Sequence, residues 1–195
     1  VNSYSHEFKT PIVSIAGFAR LLKNETLDRE QRREYLNIIE EESLRLSDMA
    51  TNVLNLAKVE NQQILSNVSA FNLSEQVRNC FLQLEDKWSG KNLDADFDFG
   101  EVQICGNEEL LRQVWLNLLD NAVKFTPYGG EVRIKIEERE DSVCVSVINT
   151  GSTVAPENRE RIFRKFFQED RSHSTKGNGI GLAVVRQIVN LHGGS

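Results

Sequence analysis

Asn117-Leu118-Leu119-Asp120-Asn121-Ala122-Val123-Lys124-Phe125-Thr126-Pro127 is the stretch on which the fold turns. Its apolar residues recur three and four apart, so it reads as the second half of an amphipathic helix. Val114, Leu118 and Ala122 are expected to pack inward, while Asn117, Asn121 and Lys124 share a polar face. Asn107 caps this helix, which is predicted to run through about Phe125. Downstream, Tyr128-Gly129-Gly130 turns the chain into a strand with Val132, Ile134 and Ile136 on one face. Val143, Val145 and Val147 mark an antiparallel neighbour. Upstream, Asn72 caps a helix with Glu75 at its third position, predicted to reach about Trp88. Residues 93–99 and 102–105 read as short strands, and a last helix is predicted from about Gly179 to His192. Helices and strands mix without a regular βαβ repeat. The implied class is an α/β sandwich, with helices on one face of a mixed β-sheet.

The first third of the chain has a different period. Phe8, Ile12, Ile15, Ala19 and Leu22 alternate by four and three, and so do Leu46, Met49, Val53 and Leu56. The break lies near Asn24 to Asp28, where Asp28 and Gln31 can form a capping box. One helical hairpin cannot bury both sides of such stripes, but two can, so a homodimer joined as a four-helix bundle is expected. Residues 61–70 are polar and aperiodic and read as a linker. The expected domains are a hairpin over 1–63 and an α/β domain over 64–195.

A chain of 195 residues suffices for one medium domain or two small ones. The formal net charge of -6, with Lys and Arg mixed among Asp and Glu, argues against a nucleic-acid partner. Cys80, Cys105 and Cys144 are too scattered for a zinc site or a disulfide framework. No apolar run is long enough to span a bilayer. Val1-Asn2-Ser3 reads as the inside of a helix and the chain stops just after another, so both ends are expected to continue into something longer.

Four constellations carry chemistry. In Ser5-His6-Glu7-Phe8-Lys9-Thr10-Pro11, His6 lies off the apolar seam and Thr10 follows one turn later on the same face. A Glu7 carboxylate bonded to the imidazole would fix its tautomer and leave the other ring nitrogen more nucleophilic. Pro11 removes one helical hydrogen bond. A surface histidine on a coiled coil would read much the same. On the Asn117 helix, Asn121 can offer a side-chain oxygen to Mg²⁺, a hard ion, and Lys124 can meet a phosphate. An ordinary polar helix face is the alternative. Asn149-Thr150-Gly151 follows a strand, where an Asn amide could read a base edge, or simply make a turn. Gly177-Asn178-Gly179-Ile180-Gly181-Leu182 opens the last helix, whose unpaired N–H groups and bare glycines suit phosphates. The preceding residues 163–176, with Arg164, Lys165, Arg171 and Lys176, read as a basic lid or as a solvated loop. His173 and His192 read as surface or capping residues.

The order of these signals resembles the sensor histidine kinases of two-component systems. Ser5-His6-Glu7 through Pro11 resembles their H box, 117–126 their N box, 147–151 a reduced first glycine box, Arg161-Ile162-Phe163 through Phe167 their F box, and 177–182 their second glycine box. The resemblance implies a dimerisation and phosphotransfer hairpin followed by a Bergerat-type ATP-binding domain whose sheet continues past Gly194. It implies His6 as phospho-acceptor, Glu7 as its hydrogen-bonding or general-base partner, and Thr10 as a residue that positions water for dephosphorylation. Asn117, Asn121, Lys124, Asn149, Gly151, Arg171, Lys176, Gly177, Gly179, Ile180, Gly181 and Leu182 would then hold ATP, with Asn121 as the Mg²⁺ ligand. The implied partners are a second copy through the hairpin and the receiver domain of a response regulator. The implied location is the cytoplasmic portion of a membrane-anchored bacterial sensor, attached only through upstream segments. Three positions depart from the family pattern: Asn149 stands for Asp, Thr153 for a glycine and Gln168 for Arg. Asn149 and Thr153 leave open a degenerate member that acts mainly as a response-regulator phosphatase or a dimeric scaffold.

Overall fold

The computed structural model describes residues 2–24, 26–62, 64–168 and 179–195, the first five of them by backbone alone. The chain divides into two compact units, Val1–Lys58 with Glu160–Ala183, and Val59–Arg159 with Val184–Ser195.

The first unit holds a helical hairpin. Helix α1 (Asn2–Leu21) runs unbroken through Pro11, and α2 (Arg29–Asn61) follows. The capping box forms as expected: the Gln31 N–H donates to Asp28 Oδ1 at 2.8 Å, and the Asp28 N–H donates to Gln31 Oε1 at 3.3 Å. Phe18 and Tyr35 bring their rings to 5.2 Å across the hairpin. Met49 and Leu56 are buried, whereas Ile12, Val13, Leu21, Leu36, Leu44 and Leu54 are exposed.

The second unit holds two sheets. Strands β1 (Ser69–Asn72) and β3 (Gln103–Gly106) pair antiparallel. Strands β2 (Asp94–Asp98), β4 (Glu131–Glu138) and β5 (Val143–Asn149) form a three-stranded sheet in the order β2-β4-β5. Within it β2 runs parallel to β4, and β4 runs antiparallel to β5. Helices α3 (Leu73–Leu82), α4 (Glu85–Trp88), α5 (Glu108–Phe125) and α6 (Gly181–Leu191) accompany the sheets with short 3-10 turns at Ser89–Lys91 and Pro156–Asn158, α6 belonging to this unit from Val184 onward. Val132, Ile134 and Ile136 of β4 are buried, as are Leu111, Val114, Trp115, Leu119, Ala122 and Val123 of α5. Each large apolar side chain so buried contributes about 1.5–3 kcal/mol.

Three expectations need correction. The stretch read as linker ends in a strand, because residues 69–72 pair with β3. The helix from Asn72 stops at Leu82, and Trp88 folds back to stack on Phe81 at 5.2 Å, its Nε1–H donating to the Phe81 carbonyl. On α5 the inward residue is Leu119, with no exposed surface, while Leu118 is only half-buried.

Asn107 does cap α5, its Oδ1 accepting from the Leu110 N–H at 2.9 Å. Its own N–H donates to His192 Nε2 at 3.0 Å, and His192 Nδ1 lies 2.8 Å from the Ile188 carbonyl. The proton therefore sits on Nδ1. A His192→Phe substitution would leave the Asn107 N–H without an acceptor, at a cost of about 1–3 kcal/mol. His192→Gln keeps an acceptor and should lose less. Thermal denaturation of both variants checks this, and equal losses would count against it.

Candidate functional site

The carbonyl end of α5 is held by several backbone and side-chain bonds. A helix leaves its last four carbonyls without intrahelical donors. Here the Ala122 carbonyl takes two bonds from Thr126, from the N–H at 3.0 Å and from Oγ1 at 2.6 Å. Thr126 is buried and extended, as a residue preceding proline must be. The Val123, Lys124 and Thr126 carbonyls all accept from one ammonium, Lys91 Nζ, at 2.7, 3.1 and 3.0 Å. Lys91 ends a short 3-10 turn, and its own carbonyl accepts from the Gly129 N–H at 2.8 Å. One turn earlier, Lys87 Nζ meets Asp120 Oδ1 at 2.6 Å.

On the polar face of α5, Asn117, Asn121 and Lys124 are all half-buried and one turn apart, so the helix brings them together as the sequence predicts. Asn117 turns its amide to its own helix, donating to the Gln113 carbonyl at 2.8 Å. Lys124 Nζ sits 4.8 Å from the centre of the Phe125 ring.

Beside this end lies the turn after β5. Asn149 is the last residue of β5, and its Nδ2 donates to the Thr150 carbonyl at 3.0 Å. Thr150 is laced to the start of β4: its N–H donates to the Glu131 carbonyl and its Oγ1 accepts from the Glu131 N–H. Gly151 has φ +111°, and a Cβ there would come within 2.8 Å of the Phe125 carbonyl and 2.7 Å of Pro127 Cδ. The glycine thus lets the two candidate motifs touch. Glu131, Arg133, Ile148, Asn149 and Thr150 line a small surface hollow. Glu131, with Asp96, draws Arg133 further toward its charged form.

In the first unit, His6 lies on the backbone of α1, one turn before Thr10. The Glu7 side chain is half-buried and Thr10 is exposed. Gly179, also in the first unit, has φ +64°, and a Cβ there would meet the Phe167 carbonyl oxygen at 2.7 Å and the Phe166 backbone at 2.8 Å. The Phe166 N–H donates to the Gly179 carbonyl at 2.8 Å. This glycine is therefore needed by the protein's own packing, whatever it offers a ligand. Ile180 has no exposed surface, and Gly181 and Leu182 at the start of α6 are half-buried. Arg171, Lys176, Gly177 and His173 lie outside the described residues.

Sequence reasoning missed Lys91 and Thr126. Lys91 belongs to no motif, and its contacts span more than thirty positions. The small hydroxyl before Pro127 was a usable signal for Thr126, because such a group can bond back to the carbonyl four residues earlier.

The donor set suits a Mg²⁺ ion that arrives with phosphates. Among the described residues no group of three His, Cys, Asp or Glu side chains could cage a metal. Mg²⁺ commonly takes one or two protein oxygens and completes its shell with water and phosphate. The half-buried Asn121 carboxamide can supply one such oxygen.

Residues 1–62 match the family model "His Kinase A (phospho-acceptor) domain". Residues 106–195 match "Histidine kinase-, DNA gyrase B-, and HSP90-like ATPase". The solved catalytic domain of histidine kinase ThkA is 32% identical, with 80% of that chain covered by 64% of this one at a TM-score of 0.58. The chain belongs to the sensor histidine kinase family. A second structure of the kinase ThkA, in complex with the response regulator TrrA, covers 98% of this kinase chain at a TM-score of 0.80 and 30% identity, and 54% of that chain. The sensor histidine kinase CusS of Escherichia coli is 31% identical over 98% of the chain. This histidine kinase chain spans 40% of the length of CusS. No described helix is long and apolar enough to cross a membrane.

Proposed function

We propose that this chain binds ATP and transfers its γ-phosphoryl group to a ring nitrogen of His6. In that step the bond from phosphorus to the ADP oxygen breaks, a nitrogen–phosphorus bond forms, and ADP leaves. Glu7 holds the imidazole and takes up its displaced proton. The observation that carries the reading is the co-occurrence of two matched domains in one chain, a phospho-acceptor hairpin and an ATPase fold, with His6 on the first and the Asn117, Asn121 and Lys124 face on the second. Asn121 with Mg²⁺, and Lys124, would neutralise the transferring group, and Asn149 and Gly151 would face the base. Phosphoryl transfer needs little more than such positioning and charge.

The phosphohistidine then donates to an aspartate on a response-regulator receiver domain. The ThkA complex with its regulator supports that class of partner. The exposed apolar residues of α1 and α2 support a homodimer through the hairpin, with 1–63 as the phosphotransfer domain and 64–195 as the catalytic one. Membrane anchorage through upstream segments is the arrangement we favour for the longer protein. A second reading, a phosphatase that uses Thr10 and Glu7 on the phosphorylated regulator, draws on the Asn149 amide being engaged with the Thr150 carbonyl.

The deciding experiment incubates the full-length protein with γ-labelled ATP and Mg²⁺ and follows acid-labile, base-stable label. Labelled protein that passes its label to a receiver domain is the expected result. A folded dimer that takes no label would move the reading to the phosphatase or scaffold.

A further inference from the structure

Lys124 stands at an electrostatically awkward place. It is meant to meet an anion, yet it lies in the last turn of α5, where the helix presents its partial negative charge. A triphosphate drawn to Lys124 would approach the very carbonyls that repel it. The structure supplies a counter-charge at that point. Lys91 is half-buried and directs its ammonium at three carbonyls of the helix end, Val123, Lys124 and Thr126. An ammonium has three N–H donors on one atom, and each of these carbonyls lies within reach of it.

The grip is also mechanical. Lys87 and Lys91 are four residues apart and face α5 together, one holding Asp120 and the other the terminal carbonyls. Asn92 then adopts a left-handed conformation, φ 49°, which turns the chain into β2. The Asp94 N–H donates to the Gly130 carbonyl at 2.9 Å, so the same segment pins the turn after the helix.

We infer that Lys91 is a positioning residue for the triphosphate: it closes and neutralises the carbonyl end of the helix that carries Asn121 and Lys124. The inference rests on the proposed function, since it assigns Lys91 a part in holding the same nucleotide. Lys91 does not touch the reacting atoms. It acts through the orientation of the last turn and through the potential there.

The test compares the full-length wild type with Lys91→Met and Lys91→Arg in Mg-ATP titrations and in His6 labelling over a range of ATP concentrations, below the melting temperature of each protein. Lys91→Met keeps the aliphatic stem and removes the charge and donors. Its KM and Kd for Mg-ATP should rise about tenfold, with kcat at saturating ATP within about twofold of wild type. Lys91→Arg keeps the charge and should stay within about threefold of the wild-type KM. A merely structural role would lower the active fraction, and hence kcat, and leave KM alone. That pattern, or a wild-type KM in Lys91→Met, overturns the inference while the wild type still binds and labels. A wild type with no saturable Mg-ATP binding overturns the proposed function and this inference with it.

Discussion

Acid-labile label from γ-labelled ATP is expected to fall to background in His6→Gln, while Mg-ATP binding stays at the wild-type level. A glutamine amide has no lone pair nucleophilic enough to accept the phosphoryl group, so the loss should reach at least about a thousandfold. No second histidine is placed to substitute among the described residues. Both ring nitrogens of His192 are committed, Nε2 to the Asn107 N–H and Nδ1 to the Ile188 carbonyl. The substitution lies on α1, and the nucleotide contacts proposed above lie on other elements, so binding and labelling should separate cleanly. Equilibrium titration beside the labelling assay checks both halves. Acid-labile label that persists in the variant would sink the assignment of His6.

Gly151→Ala is expected to damage the nucleotide domain substantially. The new Cβ would stand 2.8 Å from the Phe125 carbonyl and 2.7 Å from Pro127 Cδ. The φ of +111° is strained for any residue with a side chain. Neither neighbour can yield cheaply. Thr126 is fastened to the Ala122 carbonyl by two bonds, and Thr150 is fastened to both backbone groups of Glu131. Strain and overpacking together should cost about 3 kcal/mol. Melting would then fall by roughly 10 °C. Mg-ATP affinity should fall as well, because relief of the clash moves either the end of α5 or the turn after β5. Calorimetry with and without Mg-ATP measures both, and an unchanged melting temperature would contradict the contact.

Helix beginnings were legible in the chain because each is a local bargain between a cap and the residue three positions on. Asp28 with Gln31, Asn72 with Glu75 and Asn107 with Leu110 all form the bonds expected of them. The β4 and β5 strands were legible because alternating valines and isoleucines have one sensible face. Strand β1 was hidden because Ser69-Ala70-Phe71-Asn72 has no alternation of its own and owes its conformation to a partner more than thirty residues away. The choice between Leu118 and Leu119 could not be made from spacing, since adjacent leucines both satisfy a three-four stripe. At the candidate site the motifs were legible as residue types. What no local pattern encodes is the reach of Lys91 to the far end of α5, or the need of Gly179 to clear the Phe166–Phe167 backbone.

The two border strands of the β2-β4-β5 sheet differ in charge. Strand β2 carries Asp94, Asp96 and Asp98 on its exposed face, where Arg133 and Lys135 of β4 pair with Asp96 and Asp98. Strand β5 reads Val143-Cys144-Val145-Ser146-Val147-Ile148-Asn149, without a charge or a proline, and among the described residues only β4 pairs with it. Uncharged and rich in β-branched residues, it has the makeup of a strand that accepts a second partner through its backbone. A lysine introduced at the half-exposed Ile148 would put a charge on that strand and should make pairing with a further chain costlier.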